Sequence, residues 1–170
     1  MAGNSQLLSF IRSIEQIRDL IHKAIGEDLT PEQSVFQISE GRGNIAWLAG
    51  HLTYSFDAYI GRALGKAGIL PSDYAELYQM GSKPESDPEK YPPLEEVLQW
   101  LDQVVAGLCE FLESQTDELL SRSLPEGNPV RERFLTVGDL AWFAVYHAGY
   151  HCGQITLLRQ AQNLPCGFGV

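Results

Sequence analysis

The chain has 170 residues, of which 44% are hydrophobic and 20% are charged, and this ordinary globular composition excludes a mostly disordered chain. At this length we expect a single domain over residues 1–170 with enough apolar surface to bury a real core. Twelve basic residues, scattered singly, stand against 22 acidic ones for a net charge of −10, so binding to nucleic acid or to an anionic membrane surface is disfavoured.

The cysteines and the N-terminal segment indicate the compartment. The three cysteines, Cys109, Cys152 and Cys166, are odd in number and lack CxxC spacing, which favours reduced thiols over a disulfide framework. The first residues lack the basic stretch of a signal peptide. Residues 140–158 carry no formal charge, but they include two histidines, a glutamine and a threonine, which favours a buried helix over a membrane span. We therefore expect a cytoplasmic protein without a membrane partner.

Two segments in the N-terminal half have the periodicity of amphipathic helices. In residues 4–25 a leucine or isoleucine recurs every three or four positions, and Gly26 ends the pattern. The second segment covers residues 44–64 and begins with Asn44, a residue type that favours the N-cap position. His51 lies at the edge of its apolar stripe, one turn after Trp47.

The next stretch, residues 65–93, is the most irregular part of the chain. Glycines at its start break the helix, residues 73–80 favour a short helical excursion, and the proline-rich residues 81–93 predict a loop. A third helix is predicted from Leu94, with apolar residues at heptad-like spacing as far as Leu112 and acidic residues in its first turn.

A fourth helix is predicted over residues 136–159, where Thr136 and Asp139 form a capping box. His147 and His151 are four residues apart, which puts both imidazoles on one face, one turn apart. That face is otherwise apolar, so both imidazoles need a partner. Gly149 and Gly153 mark a different face, which a neighbouring helix or a second subunit could approach closely.

The fold class follows from these elements. The chain shows four long amphipathic helices and no strong β-alternating segment. We therefore predict an all-α four-helix bundle with a long irregular connection between helices 2 and 3.

Three histidines on two helices, His51, His147 and His151, could converge on a divalent metal ion. Neutral imidazole suits zinc, nickel, iron and copper, and three protein ligands leave coordination positions open, as in catalytic sites. The alternative is that the same residues are hydrogen-bonded core histidines. The chain has neither an HExxH motif nor a pair of Glu-x-x-His repeats, which excludes zincin and di-iron carboxylate sites. Cys152 is not a nucleophile paired with His151, because adjacent helical residues point about 100° apart.

Several residues near the histidines are candidates for the surrounding pocket. Trp47, Tyr54 and Tyr150 each lie three or four positions from a histidine and could line the pocket. Asp57 and Gln154 could accept the second proton of an imidazole, as partners of metal-bound histidines usually do. The pattern assigns no catalytic residue.

Motifs in the second and fourth helices carry a resemblance to a known family. The second helix contains Asn44-Ile-Ala-Trp-Leu-Ala-Gly-His51-Leu, and the fourth contains Thr136-Val-Gly-Asp-Leu followed by His147-x-x-x-His151-x-Gly-Gln-Ile. In this order they resemble the DinB-like superfamily, which includes DinB/YfiT proteins, bacillithiol transferases and mycothiol-dependent maleylpyruvate isomerases. The resemblance covers nearly the whole chain. It implies an up-down-down-up bundle, a nickel, zinc or iron ion held by residues matching His51, His147 and His151, and a homodimer.

The resemblance also suggests an activity. Characterised relatives use the metal to activate a low-molecular-weight thiol, and a metal ion deprotonates a coordinating thiol outright. The first hypothesis is therefore a metal-dependent thiol S-transferase, or a related hydrolase, that acts on a small electrophilic substrate. The alternative is a non-catalytic dimeric bundle for stress response or interaction, in which the metal stabilises the fold.

Overall fold

The computed structural model describes residues 5–128 and 130–168, and these residues are all-helical, without a β-strand, as predicted. Seven π-helical residues, Ser55–Gly61, join α3 to α4, and a 3₁₀ turn, Pro88–Lys90, precedes α6. None of the described helices combines the length and the apolar character that crossing a membrane would require. The α-helices in chain order are α1 (Ser5–Ile25), α2 (Pro31–Ser34), α3 (Ile45–Tyr54), α4 (Arg62–Leu64), α5 (Tyr74–Tyr78), α6 (Leu94–Glu113), α7 (Glu118–Ser121) and α8 (Val137–Ala161).

Four long helical segments form the bundle: α1, α3 with its continuation through α4, α6, and α8. Helix α1 packs mainly against α8 and α6, and α3 packs against the same two helices, so α1 and α3 occupy opposite corners. The end of α1 meets the end of α8, because Arg159 donates to the carbonyl of Ile25, so these two helices run parallel, as the up-down-down-up order requires. The irregular connection predicted between the second and third long helices is present between α4 and α6.

The core consists of the apolar stripes that the periodicity predicts. Burying one such side chain fully contributes about 1.5–3 kcal/mol, so these stripes are the main source of stability in the bundle. Helix α1 buries Leu7, Phe10, Ile11, Ile14, Ile17 and Ile21, and α6 buries Val97, Leu101, Val104, Val105, Leu108 and Leu112.

The connection between α4 and α6 is attached to α3 and its π-helical continuation. The carboxylate of Asp57 accepts hydrogen bonds from the backbone N–H of Ile69 at 2.9 Å and from that of Leu70 at 3.2 Å. The predicted short helix is α5, and the ring of Tyr78 lies directly against Gly50 of α3, where any Cβ atom would overlap the ring. These contacts bring the main chain of α5 beside the middle of α3.

The sequence predicts one continuous helix over residues 44–64. The structure differs, because a π-helical segment follows Tyr54. The Ser55 hydroxyl donates to the carbonyl of His51 at 2.7 Å, and the Thr53 hydroxyl donates to the carbonyl of Ala49 at 2.9 Å. Such hydroxyls compete with backbone N–H groups for the same carbonyls, which favours a wider helical turn. The helix therefore widens from Ser55, one turn after His51.

Candidate metal centre

The structure brings His51, His147 and His151 together between α3 and α8. The Nε2 atoms of His147 and His151 are 2.9 Å apart, and those of His51 and His147 are 3.4 Å apart. The three potential ligand atoms all lie within 4.8 Å of one another. Two nitrogen atoms bound to one zinc ion at about 2.0–2.1 Å and at tetrahedral angles are separated by roughly 3.3 Å. The spacing therefore fits three ligands of one ion.

Hydrogen bonds at the other ring nitrogens orient two of the imidazoles. Nδ1 of His51 donates to the backbone carbonyl of Tyr78 at 2.8 Å, and Nδ1 of His151 donates to the side-chain oxygen of Gln154 at 2.6 Å. Because both acceptors lack a proton, a neutral ring must carry its proton on Nδ1 and keep a lone pair on Nε2. Both lone pairs point toward Nε2 of His147, and a cation held between the rings would satisfy all three nitrogens.

Aromatic rings pack against the imidazoles and fix the orientation of the imidazole planes. The ring of Trp47 stacks on His51 with centroids 4.7 Å apart and an interplanar angle of 7°, and Phe143 stacks on His147 at 5.5 Å and 21°. Tyr150 contacts His151 edge to face at 5.2 Å. The Trp47 indole N–H donates to the Ser82 hydroxyl at 2.9 Å, so the stacking ring is itself fixed. These contacts fix the orientations of the three imidazole rings.

Burial keeps the three imidazoles uncharged. It lowers the pKa of His151 from its ordinary value near 6.5 to about 4. It lowers the pKa of His147 to about 3, and repulsion from His151, His51 and Arg133 acts in the same direction. Burial also lowers the pKa of His51. Neutral imidazole is the form that binds metal, so protons do not compete for the site at neutral pH.

The histidines face a cavity of about 600 Å³. Its walls are mostly apolar and include Phe56, Ile60 and Phe143, and residues of the segment before α8 form one side. A cavity of this volume accommodates a small organic molecule. A larger cavity of about 890 Å³ lies beside α1 and α6, where His22 pairs with Asp102 at 2.9 Å. That second cavity lacks a convergent histidine group, so the first is the candidate site.

Residues 13–155 match the family described as the DinB superfamily. The chain belongs to the DinB superfamily. Among curated proteins none matches it. Among solved structures the chain is similar to YfiT from Bacillus subtilis, described as "a probable metal-dependent hydrolase with an unusual four-helix bundle topology". The two share 19% identity at a TM-score of 0.65, over 97% of this chain and 92% of YfiT, and a likeness at that identity shows the fold alone.

Most of the residues that the sequence places around the histidines lie at the site of this DinB-superfamily protein. Trp47 and Tyr150 line the cavity, and Gln154 accepts from His151 and donates to the Tyr150 hydroxyl at 3.3 Å. Tyr54 does not belong to the cavity lining and instead packs edge to face on Tyr59. Tyr54 falls between the positions of this helix that line the cavity, which are Trp47, His51, Leu52, Ser55, Phe56, Tyr59 and Ile60.

Three features of the site differ from the sequence interpretation. Asp57 does not accept from a histidine, because its carboxylate binds the backbone of the connection between α4 and α5. The acceptor for His51 is the main-chain carbonyl of Tyr78, which no side-chain pattern could indicate. Arg133, which lines the cavity, was also missed, because it belongs to a non-periodic segment.

Proposed function

We propose that the chain is a metal-dependent enzyme of the DinB superfamily that hydrolyses a small electrophilic substrate or transfers it to a low-molecular-weight thiol. A divalent cation held by Nε2 of His51, His147 and His151 would be its cofactor. The observation that carries the proposal is the convergence of three neutral imidazoles on the wall of a cavity. Closed structural sites have four protein ligands, whereas catalytic sites keep a position open.

Neighbouring groups of the chain orient the three histidines for binding the ion. The carbonyl of Tyr78 and the amide of Gln154 fix the imidazole orientations, which increases ligand basicity. The apolar cavity wall reduces access of bulk water, and the Tyr150 hydroxyl, which lines the cavity, is available for a hydrogen bond to a bound molecule. When bound, a divalent cation supplies an acidified water or thiol near neutral pH and polarises an electrophile.

The ligand set is compatible with several ions. Three imidazoles suit zinc, nickel and iron, and geometry and metal availability decide between them. Zinc is the simplest probe, because it has no redox chemistry and accepts tetrahedral geometry with an open position. We propose one ion per chain.

A second candidate is a non-catalytic bundle in which the metal joins α3 to α8 and the chain pairs with a second copy. The exposed aromatic residues of α8 favour it: Trp142 is 45% exposed, and Tyr146 at 69% and Tyr150 at 57% remain exposed although they line the histidine cavity. Gly149 and Gly153 lie near them with open space at their Cβ positions. An exposed apolar surface of this kind is typical of an interaction site.

Metal analysis combined with two activity assays separates these functions. Purified protein is analysed for metal content, and conjugation of chlorodinitrobenzene to small thiols and hydrolysis of p-nitrophenyl acetate are measured. We expect stoichiometric metal and turnover in the wild type, and loss of both in His151→Ala. His22→Ala is the matched control, because His22 is the fourth histidine and lies outside the site. Metal without turnover supports the second candidate, and protein that never binds metal contradicts both.

A further inference from the structure

A single arginine lies at the edge of the histidine cavity. Arg133 belongs to the segment between α7 and α8 and lines the cavity together with Glu132, Phe134 and Phe143. Its guanidinium carbon is 5.2 Å from the ring centroid of Phe143 and 5.7 Å from that of Phe134. A guanidinium over aromatic faces is attracted by the ring quadrupole, and its planar shape allows stacking. The aromatic rings therefore hold the cation near the cavity.

The Arg133 guanidinium has no carboxylate partner among residues 5–128 and 130–168, within the 4.0 Å of an ion pair. Three other arginines do have such partners: Arg18 contacts Asp19, Arg131 contacts Glu126, and Arg159 contacts Asp28. The chain has 22 acidic residues, yet Arg133 contacts aromatic rings at the cavity and not a carboxylate. Its N–H donors therefore stay available for a ligand.

The position of Arg133 relates it directly to the histidines. The Phe143 ring has the Arg133 guanidinium carbon at 5.2 Å and the His147 ring centroid at 5.5 Å. The cation and the imidazole are thus both in contact range of one aromatic ring. A molecule of modest size in the cavity can reach both at once.

We propose that Arg133 is the anion-recognition residue of the cavity and that the substrate carries a carboxylate beside an apolar body. This inference rests on the proposed function, because it assigns a chemical class to the substrate of the same site. The guanidinium offers paired N–H donors that match the two oxygens of a carboxylate. The cavity wall formed by Phe56, Ile60 and Leu140 would accommodate the apolar part.

The test compares two ligands of nearly equal shape that differ in charge, phenylacetate and phenylacetamide. Their affinities are measured by titration calorimetry on the metal-free protein, so that a bound cation cannot itself attract the anion. We expect wild type to bind phenylacetate about tenfold more tightly than phenylacetamide. Arg133→Gln is expected to lose this preference and to keep the same affinity for phenylacetamide. Arg133→Lys is expected to retain part of the preference, because it keeps the charge but not the planar geometry.

Arg131→Gln is the matched control, because Arg131 lies two positions away, pairs with Glu126 and does not belong to the cavity lining. It should keep the full preference for phenylacetate. The proposal is overturned if wild type shows no preference for the anion, or if Arg133→Gln binds phenylacetate as wild type does. A loss of preference that is equal in Arg131→Gln and Arg133→Gln also overturns it, because the effect is then general electrostatics.

A parallel titration with zinc alone distinguishes this inference from the proposed function. If zinc does not bind but the preference for phenylacetate is present and depends on Arg133, the enzyme proposal fails and the anion site stands. If zinc binds at the histidines and the metal-free protein shows no charge preference, the anion site fails and the enzyme proposal stands. A circular-dichroism melt of each variant shows that the compared proteins are folded.

Discussion

Helices α6 and α8 are both long bundle helices, but they distribute their polar residues in opposite ways. Helix α6 buries aliphatic residues such as Leu101 and Leu108 and exposes its acidic residues, as an ordinary amphipathic helix does. Helix α8 turns His147 and His151 toward the interior and exposes aromatic rings such as Tyr146. The departure from simple amphipathic order in α8 coincides with the candidate site and with the exposed aromatic rings.

The two helices should therefore respond differently to substitution. A change in α6 should affect stability and leave metal binding intact, whereas a change on the inner face of α8 should affect metal binding and leave the metal-free fold intact. Four experiments test this difference, from the largest expected effect to the smallest.

Replacing a histidine of α8 should have the largest effect. His151→Ala removes one of three ligands, and we expect zinc affinity to fall by about a thousandfold or more, because two imidazoles do not hold the ion. The metal-free protein should melt within a few degrees of wild type, because the ring that is lost is uncharged and its loss leaves no buried charge unpaired. Zinc titration against a chelator of known affinity measures the change. Retention of wild-type zinc affinity would remove His151 from the site.

Replacing a core leucine of α6 should show the opposite behaviour. Leu101 is fully buried, and Leu101→Ala is expected to cost about 2–5 kcal/mol of unfolding free energy, from lost burial and the cavity left behind. Urea unfolding of the metal-free protein measures this cost. The folded variant should still bind one zinc ion with affinity close to wild type. A large loss of zinc affinity in this variant would show that α6 supports the site and would weaken the comparison.

The hydrogen bond that orients His151 should have an intermediate effect. Gln154→Ala removes the acceptor of the Nδ1 proton, and such partners are typically worth about 10- to 100-fold in metal affinity. Gln160→Ala, on the exposed side of the same helix, is the control and should leave the affinity unchanged. Equal zinc affinity in Gln154→Ala and wild type would show that the His151 ring is oriented by its contacts with neighbouring rings alone.

Acidification should have the smallest effect. The pKa values of about 3 for His147 and about 4 for His151 lie below the ordinary value, so the unfolded chain binds more protons at mildly acidic pH. This contribution to stability is complete above pH 6.5 and is lost as the pH falls toward 4. We expect the loss to be roughly 1 kcal/mol in the metal-free protein, since water in the cavity partly solvates the protonated rings. Urea unfolding in a pH series measures it.

The double variant His147→Ala/His151→Ala provides the control for the pH series. Without the two rings the decline between pH 6.5 and 4 should become shallower. A wild-type protein whose stability increases as the pH falls from 6.5 to 4 would contradict the assignment of neutral, buried imidazoles.

The sequence predicts the parts of this molecule that depend on periodic patterns. Helices α1, α6 and α8 and their buried stripes follow from apolar spacing, and the Thr136–Asp139 capping box that begins α8 is present as expected. The meeting of His51 with the α8 histidines follows from their places on core-facing stripes of two packed helices. These predictions succeed because burial of a helix face is a local property of the sequence.

The remaining parts depend on contacts between distant segments, which spacing does not encode. The π-helical turn arises where side-chain hydroxyls bind helix carbonyls. The acceptor for His51 is a main-chain carbonyl 27 residues later in the chain. Arg133 reaches the cavity through a loop whose path the sequence pattern leaves open. Each of these features is set by tertiary packing.

The most direct test of the central claim is a crystal structure of the zinc-soaked protein with anomalous data collected at the zinc edge. We predict one strong anomalous peak bonded to Nε2 of His51, His147 and His151 at about 2.0–2.1 Å, with a coordination position open toward the cavity. A protein that takes up zinc elsewhere, or that leaves the three imidazoles bonded only to one another, would contradict the account.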